Sequence, residues 1–321
     1  MPAESPVRRI LVVRLGAMGD IFHAMPAVST LKQSFPNSQL HWAIEEKWTS
    51  LLDGNPFVDE VIPVNRKSLK AVVALRRKLR SVHYDLAVDF QGLIKSAVIA
   101  AAARPEKLFG FDRSQVRERP AALFYSTCTK AESAHVVDRN LELARSTGAT
   151  NLVRTFSIPA GSPEGALPDG DFVLANPLAG WAAKQWPTEN YTALAERLRS
   201  DCGVHLVLNV PPGSPQVPGT FTHISGLAGL IHATRRATGI VGVDSGPMHL
   251  AAALGKPGVA IFGPTDPARN GPYGSTFTVL RAPGAVTTYK RNDTVDPSMR
   301  AISVDAVFES LKARMYCAAK T

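Results

Sequence analysis

The sequence predicts an α/β protein with two domains, each built around a parallel β-sheet that is covered by helices. One observation is the alternation of strand-length apolar runs with helical patterns, which is typical of Rossmann-like domains. Another is the length of 321 residues, which suits two domains better than one. A third is a stretch dense in glycine and proline at residues 159–170, which separates the runs into two groups and predicts the linker.

The first group of apolar runs predicts a domain at residues 1–158, with strands at 10–13, 40–44, 61–64 and 86–88. The second group predicts a domain at residues 171–302, with strands at 172–175, 204–208, 239–243 and 259–262. Residues 303–321 carry apolar side chains at helical spacing, namely Val304, Val307, Leu311 and Met315. We expect this C-terminal helix to pack back towards the first domain.

The composition is that of an ordinary globular protein, because 45% of the residues are hydrophobic and 20% are charged. No run approaches the roughly 18 apolar residues that a membrane-spanning helix needs. The N-terminus lacks a cleavage-site pattern, so we expect a cytoplasmic protein. Cys128, Cys202 and Cys317 have no C-x-x-C spacing, so neither a disulfide framework nor a zinc site is expected.

The formal net charge of +9 indicates anionic partners, and residues 66–80 carry seven basic groups and no acid. Leu69, Val72, Val73 and Leu79 are available for a buried face, which predicts a basic amphipathic helix. Such a run is commonly a solvated face, but beside a ligand site it also suits an anionic acceptor or a membrane surface. Nucleic acid is not expected as a partner, because aromatic residues are not interleaved with the basic ones.

The turn after the first strand, residues 14–20, contains glycines that let the backbone approach a ligand closely. Ligands of parallel sheets bind beyond the carboxyl ends of the strands, so two sheets that face each other would share a cleft. The G-x-G-x-x-G pattern of dinucleotide binding is missing, and only Glu45 and Glu46 after the second strand favour that ligand. Asp20, at the helix start, is either a helix cap or a general base that accepts the proton of an attacking hydroxyl.

Polar residues also follow the fourth strand of the first domain. Gln91 offers a neutral hydrogen-bonding group for sugar hydroxyls, although a turn with a satisfied side-chain amide explains it equally simply. Lys95 lies at the same mouth, and Arg113 and Arg117 follow shortly along the chain. These residues predict a basic and polar ligand site on the first domain.

In the second domain, residues 244–249 form a turn between a strand and a helix. Ser245 and Gly246 leave free backbone amides at the helix N-terminus, which suits a diphosphate without a metal. His249 adds a hydrogen-bond donor, although the simpler interpretation is that Ser245 caps the helix and His249 is a core residue. Two turns after neighbouring strands add a charge and a hydroxyl to the same rim, from Lys184 and Thr265.

Six motifs together resemble glycosyltransferase family 9, and the resemblance covers nearly the whole chain. They are RLGAMGD at 14–20, DFQGLIKS at 89–96, FDRSQVRE at 111–118, KQWP at 184–187, DSGPMH at 244–249 and GPTDP at 263–267.

The resemblance implies a GT-B fold, in which two Rossmann-like domains face a central cleft. We expect donor binding to close the two domains, since cleft enzymes exclude water in this way. It implies an inverting, metal-independent transfer of heptose from ADP-heptose to the Kdo of lipid A in lipopolysaccharide biosynthesis. No cofactor and no metal site are expected. A monomer is expected, acting as a peripheral protein on the inner face of the inner membrane.

By the same resemblance, Asp20 is expected to be the catalytic base. The donor site is expected at Lys184, Asp244, Ser245, Gly246, Met248, His249 and Thr265. The acceptor site is expected at Gly19, Arg66, Lys67, Gln91, Lys95, Arg113 and Arg117. The sequence departs from the family at residues 208–215, which lack the glutamate that often contacts the nucleoside.

Alternative functions remain open at this point. One is a family member with another sugar donor or acceptor. Another is a nucleotide-sugar-binding module without turnover, in which the basic helix would be only a docking face. A third is an NAD-dependent dehydrogenase, which nicotinamide binding would reveal.

Overall fold

The computed structural model describes residues 7–288 and 292–318, and the chain divides into two compact units, Met1–Pro159 and Ala160–Thr321. The division falls at the edge of the stretch in which the linker is predicted. Residues 1–6, 289–291 and 319–321 of the predicted domains lie outside the described residues. Among the described helices, none is long and apolar enough to cross a membrane.

The first unit contains a parallel six-stranded sheet in the order β3-β2-β1-β4-β5-β6. Its strands are β1 (Arg9–Val13), β2 (Gln39–Glu45), β3 (Glu60–Val64), β4 (Leu86–Asp89), β5 (Lys107–Phe111) and β6 (Thr127–Thr129). The four predicted strands correspond to β1–β4. The other two were missed because β6 has only three residues and β5 begins with a lysine rather than an apolar run.

Helices cover both faces of this sheet, namely α1 (Met18–Ser34), α2 (Leu69–Arg80), α3 (Ile94–Ala102) and α4 (Val136–Ser146). Helices α1 and α4 pack against each other. Helices α2 and α3 and a 3₁₀ helix, Arg119–Phe124, contribute side chains to a separate core cluster with the strands. This arrangement is the α/β fold class that the sequence predicts.

The buried face predicted for α2 is wrong for three of its four residues. Only Leu79 is buried, whereas Leu69, Val72 and Val73 are exposed. Leu79 and the partly buried Leu75 belong to the C-terminal half of the helix, and this half alone reaches the core cluster. The apolar side chains of the N-terminal half therefore face solvent.

The second unit repeats the architecture, with a parallel six-stranded sheet in the order β12-β11-β10-β7-β8-β9. Its strands are β7 (Phe172–Asn176), β8 (His205–Asn209), β9 (Phe221–His223), β10 (Gly239–Val243), β11 (Gly258–Phe262) and β12 (Phe277–Arg281). Its helices are α5 (Thr188–Cys202), α6 (Leu227–Arg236), α7 (Gly246–Ala253), α8 (Pro267–Asn270), α9 (Pro297–Arg300) and α10 (Val304–Ala318). The four predicted strands correspond to β7, β8, β10 and β11.

The C-terminal helix α10 buries Val307, Phe308 and Leu311 in the core of the second unit. Its described contacts are with α5, β10, β11 and β12. Packing of residues 303–321 towards the first domain stays a prediction.

Candidate active site

The turn between β1 and α1 holds Asp20 at the carboxyl edge of the first sheet. The guanidinium of Arg14 lies 2.7 Å from Asp20 Oδ1, and the backbone N–H of Ala17 donates to Oδ2 at 3.1 Å. Arg14 is itself buried and also donates to the carbonyl of Phe90, so the core fixes its position. Gly19 is buried in the first turn of α1, whereas the Asp20 side chain is 36% exposed. Each carboxylate oxygen therefore has one partner and further acceptor capacity towards solvent.

The turn after β4 is held by the buried carboxylate of Asp89. It accepts hydrogen bonds from Ser96 Oγ and Tyr125 Oη, both at 2.8 Å, and from the backbone N–H groups of Gln91 and Gly92. Burial raises the pKa of Asp89 above its ordinary value, although these hydrogen bonds act in the opposite direction. Gln91 Oε1 in turn accepts from the backbone N–H of Leu15 at 2.8 Å. Gln91 thus ties the two turns together, and its amide nitrogen remains for a ligand.

Glu45, at the end of β2, forms ion pairs with two of the predicted acceptor-binding cations. Its Oε1 lies 2.9 Å from Arg66 Nη2 and 3.8 Å from Lys95 Nζ. A Cβ placed on Gly16 would lie 3.8 Å from Glu45 Oε2 and 2.9 Å from Trp48 Nε1, so this cluster abuts the turn that carries Asp20. The indole N–H of Trp48 is buried without a partner among the described residues. Glu45 was not predicted as part of the acceptor site, although a charged residue at the carboxyl end of a strand could have indicated it.

The remaining predicted acceptor residues are exposed. Lys67 lies in the turn that precedes α2, and Arg113 and Arg117 lie in the segment between β5 and the 3₁₀ helix. That segment is attached to the turn after β4, because Glu118 Oε2 accepts from the backbone N–H of Ile94 at 2.7 Å. In the described part of the chain these three cations have no anionic partner.

In the second unit, Lys184 and Asp244 form a nearly buried ion pair. Lys184 Nζ donates to Asp244 Oδ2 and to its backbone carbonyl, each at 2.9 Å, and His249 Nε2 lies 3.7 Å from Oδ1. Burial opposes ionisation of Asp244, yet the His249 hydrogen bond and the Lys184 charge outweigh it and lower the pKa of Asp244 to about 2. The structure therefore brings together three of the predicted donor residues around one charge pair.

Three buried polar groups near this pair have no partner among the described residues. They are Ser245 Oγ, Thr265 Oγ1 and Asn176 Nδ2. All three follow or end neighbouring strands, β10, β11 and β7, at one edge of the sheet. An unpaired buried polar group is costly, so a cluster of them points to a polar ligand. Asn176 was not predicted, although an asparagine that ends a strand and precedes a proline was a usable signal.

The N-terminus of α7 presents backbone N–H groups at the same edge. Ser245 is the residue before the helix, but its side chain makes no capping hydrogen bond, so the simpler interpretation as a cap is not supported. Gly246 begins the helix and His249 is buried within its first turn. Met248 is fully buried and packs beside Gly242, so only its backbone can meet a ligand.

Asparagines end two neighbouring strands of the second sheet, β7 and β8. Asn209, which ends β8, donates from Nδ2 to Asn176 Oδ1 at 3.2 Å. This hydrogen bond engages the side-chain oxygen of Asn176. Its amide nitrogen has no partner among the described residues.

One group of potential metal ligands was found among the described residues, His83, Asp85 and Glu106. Asp85 and Glu106 directly precede β4 and β5, so the group lies at the amino-terminal edge of the first sheet, opposite Asp20. It is not part of either cluster described above.

Comparisons with known proteins identify the family of this chain. The model of glycosyltransferase family 9 (heptosyltransferase) matches residues 72–216 and 220–298. Lipopolysaccharide heptosyltransferase 1 of Escherichia coli K12 is 30% identical over 86% of this chain and 94% of its own. That of Salmonella typhimurium is 31% identical with the same coverage.

Solved structures give the same result. The Escherichia coli heptosyltransferase WaaC with ADP superposes with a TM-score of 0.75 at 26% identity, covering 95% of this chain and 99% of the other. A family 9 transferase from Veillonella parvula shares the fold, with a TM-score of 0.77 at 20% identity over 97% and 99% of the chains. The chain therefore belongs to glycosyltransferase family 9, the heptosyltransferase family.

Proposed function

We propose that this glycosyltransferase is of the heptosyltransferase I type. It moves L-glycero-D-manno-heptose from ADP-heptose to the Kdo of the lipid A inner core in lipopolysaccharide biosynthesis. The names of the relatives at 30% and 31% identity support the reaction, and the WaaC structure with ADP supports the nucleotide.

Asp20 is the general base in this proposal. As the acceptor oxygen attacks the anomeric carbon, its proton passes to a carboxylate oxygen of Asp20, and the new glycosidic bond forms. The bond between the anomeric carbon and the diphosphate oxygen breaks, and ADP leaves with the electron pair. Attack from the face opposite the leaving group inverts the anomeric configuration. Arg14 holds the carboxylate in position through the 2.7 Å ion pair.

The second unit accepts the charge of the departing diphosphate. Two of the three donors on Lys184 Nζ are engaged by Asp244, which fixes the ammonium and leaves a third donor for a phosphate oxygen. Backbone N–H groups at the start of α7 and the hydroxyls of Ser245 and Thr265 supply neutral donors. Since these groups can offset the charge, the proposed reaction is metal-independent.

The acceptor is held by the basic groups of the first unit. Arg66 and Lys95 flank Glu45 beside the turn that carries Asp20, and Gln91 offers its amide nitrogen to a sugar hydroxyl. The exposed cations suit the phosphates and carboxylates of a Kdo-bearing lipid, namely Lys67, Arg113 and Arg117. Gly19 allows the acceptor to approach the backbone. The protein is proposed to act as a monomer on the cytoplasmic face of the inner membrane.

The placement of Asp20 carries this proposal, because a partly exposed carboxylate is fixed by a buried arginine at the start of α1. Its test is transfer of heptose from ADP-heptose to Kdo-lipid A by the wild type and by Asp20→Ala. We expect a loss of about 100- to 10,000-fold in the rate. Binding of ADP, measured by calorimetry, should be unchanged in the variant.

If Asp20→Ala transferred heptose at the wild-type rate, Asp20 would not be the base. A wild type that transfers nothing from ADP-, UDP- or GDP-sugars would favour the binding-module alternative. Nuclear magnetic resonance of the product reports the anomeric configuration, and a rate unchanged by a chelator supports metal independence.

A further inference from the structure

The first unit exposes a continuous set of apolar side chains on three neighbouring elements. Half of the large apolar side chains that are exposed in the described chain lie there. The most exposed are Leu69, at 86%, and Leu123, at 80%. We call this set the apolar surface, and its members are Leu69, Val72 and Val73 of α2, Ile94 and Val98 of α3, and Leu123 and Phe124 of the 3₁₀ helix.

These three elements lie on one face of the first sheet. Their inner sides meet in a single core cluster, to which Leu79, Ala97 and Ala121 belong, one from each element. Helix α3 contacts both of its neighbours, and Arg80 Nε donates to the carbonyl of Ala102 between the two helices. Because their inner sides share one core, their outer sides point away from it in a common direction. The apolar surface is therefore one feature rather than scattered residues.

Positive charge surrounds the apolar surface. Lys70, Arg76 and Arg77 of α2 are exposed, and in the described chain none has an acidic partner. Exposed Arg117 lies just before the 3₁₀ helix that carries Leu123, and exposed Arg119 is the first residue of that helix. Exposed apolar side chains among unpaired basic groups are the pattern of helices that lie in the interface of an anionic membrane.

We propose that the apolar surface docks onto an anionic lipid bilayer. The apolar side chains enter the boundary between headgroups and acyl chains, and Lys70, Arg76 and Arg77 contact lipid phosphates. Charge complementarity favours this partner, because residues 66–80 carry seven basic groups and no acid, so the basic groups beside the apolar surface are available to lipid phosphates.

The position of the surface fits the proposed acceptor site, and to that extent the inference rests on the proposed function. Arg66 and Lys67 lie in the turn that leads into α2 at Leu69, and Ile94 directly precedes Lys95. Docking of α2 and α3 would therefore bring the acceptor-binding cations to the level of the headgroups. A lipid-borne acceptor would meet them without leaving the bilayer.

The test is co-sedimentation of the full chain with vesicles of phosphatidylcholine alone and of phosphatidylcholine with phosphatidylglycerol. We expect binding to the anionic vesicles only. Arg76→Gln combined with Arg77→Gln should weaken it by about 30-fold, since each basic group near anionic lipid contributes about 1 kcal/mol. Leu69→Ser combined with Leu123→Ser should weaken it by at least 10-fold, on the scale of about 0.8 kcal/mol per buried methylene.

Matched controls lie in the second unit. Val286→Ser removes an apolar side chain of similar exposure, 77%, and Arg300→Gln removes an exposed charge. Neither control should alter vesicle binding. Equal losses in the controls, or no binding of the wild type to anionic vesicles, would overturn the proposal, and the latter result would favour a protein partner.

A second measurement separates this inference from the proposed function. With a Kdo-bearing acceptor stripped of its acyl chains, the apolar-surface variants should transfer heptose at the wild-type rate, whereas Asp20→Ala should not. Leu123→Trp should show fluorescence quenched by brominated lipid in anionic vesicles. Absence of quenching would contradict insertion even if transfer activity is intact.

Discussion

The carboxyl edges of the two sheets satisfy their polar groups in different ways. At the first edge, charged side chains pair with one another in partly exposed clusters, such as Arg66 and Lys95 around Glu45. At the second edge, Lys184 and Asp244 pair where little solvent reaches them, and neighbouring hydroxyls have no described partner. The first edge is therefore suited to a charged ligand whose affinity falls as the salt concentration rises. The second is suited to a ligand that forms hydrogen bonds with polar groups already held in place by the fold.

Among the variants that test this contrast, Asp244→Asn is expected to have the largest effect, which is on the free energy of unfolding. The substitution leaves the Lys184 ammonium nearly buried without a countercharge, so the free energy of unfolding should fall by about 3 kcal/mol. Glu45→Gln is the matched control, because the cation that it leaves, Arg66, is 42% exposed, and it should cost less than about 1 kcal/mol. Urea unfolding followed by tryptophan fluorescence measures both. Equal losses would remove the contrast between the edges.

The same pair predicts a pH dependence. The folded-state pKa of Asp244 is about 2, below the unfolded value of about 4, so its charge stabilises the fold above about pH 4. This contribution is lost as the pH falls through the folded-state pKa. The stability difference between wild type and Asp244→Asn should therefore narrow by about 2–3 kcal/mol between pH 6 and about pH 2. A constant difference over that range would contradict a depressed pKa.

An intermediate effect is expected for Thr265→Val, which replaces an unpartnered buried hydroxyl by a methyl group of similar size. Affinity for ADP should fall by about 10-fold, because a hydrogen bond to a charged oxygen is lost. The melting temperature of the free protein should stay the same or rise, since no described hydrogen bond is broken. Calorimetry and thermal unfolding give the two values. A lower melting temperature with unchanged ADP affinity would indicate a purely structural hydroxyl.

A smaller effect is expected for Glu45→Gln at the first edge. Without its charge, Arg66 and Lys95 lose the group that holds them beside the turn, so KM for the acceptor should change by about two- to fivefold. The rate constant kcat and the affinity for ADP should not change. Glu46→Gln is the control, because Glu46 contacts Asn65 rather than these cations. A matching change in the control would assign the effect to net charge alone.

The smallest effect is expected from salt. Raising the ionic strength from a low value to the physiological level should increase KM for the acceptor by about two- to fivefold. The reason is that salt screens ion pairs between the exposed basic groups and the acceptor. The dissociation constant of ADP should change less, because its site is more buried. Arg66→Gln should reduce the salt dependence of the acceptor KM. Equal salt sensitivity for both ligands would mean that the two edges do not differ as described.

The sequence predicted the α/β fold class and eight of the twelve described strands because apolar runs of strand length alternate with helices. The family and the transferase class, expected from six motifs, are confirmed by the comparisons. Four strands were missed, β5, β6, β9 and β12. The edge strands β6 and β9 have only three residues each, which carry too little periodicity to predict a strand.

The hydrogen-bond and ion-pair partners of a side chain were harder to predict than the edge of the sheet at which the residue lies. The sequence placed Lys184 and Asp244 at one rim, but their ion pair depends on how the turns after β7 and β10 fold. Apolar spacing in α2 predicted a buried face, yet the half of the helix that carries Leu69 does not reach the core. The extent of a core is a tertiary property, which periodicity along one helix does not contain.

The anchoring of Arg14 has a consequence for how this protein can evolve. Its guanidinium holds Asp20, while its backbone carbonyl accepts from the indole of Trp42, a fully buried residue of β2, at 3.1 Å. A change at Trp42 therefore alters the position of the proposed base as well as the packing of the core. At such an interior site, selection for folding and selection for catalysis act on the same substitution. We expect that site to tolerate fewer replacements than other core positions of equal burial.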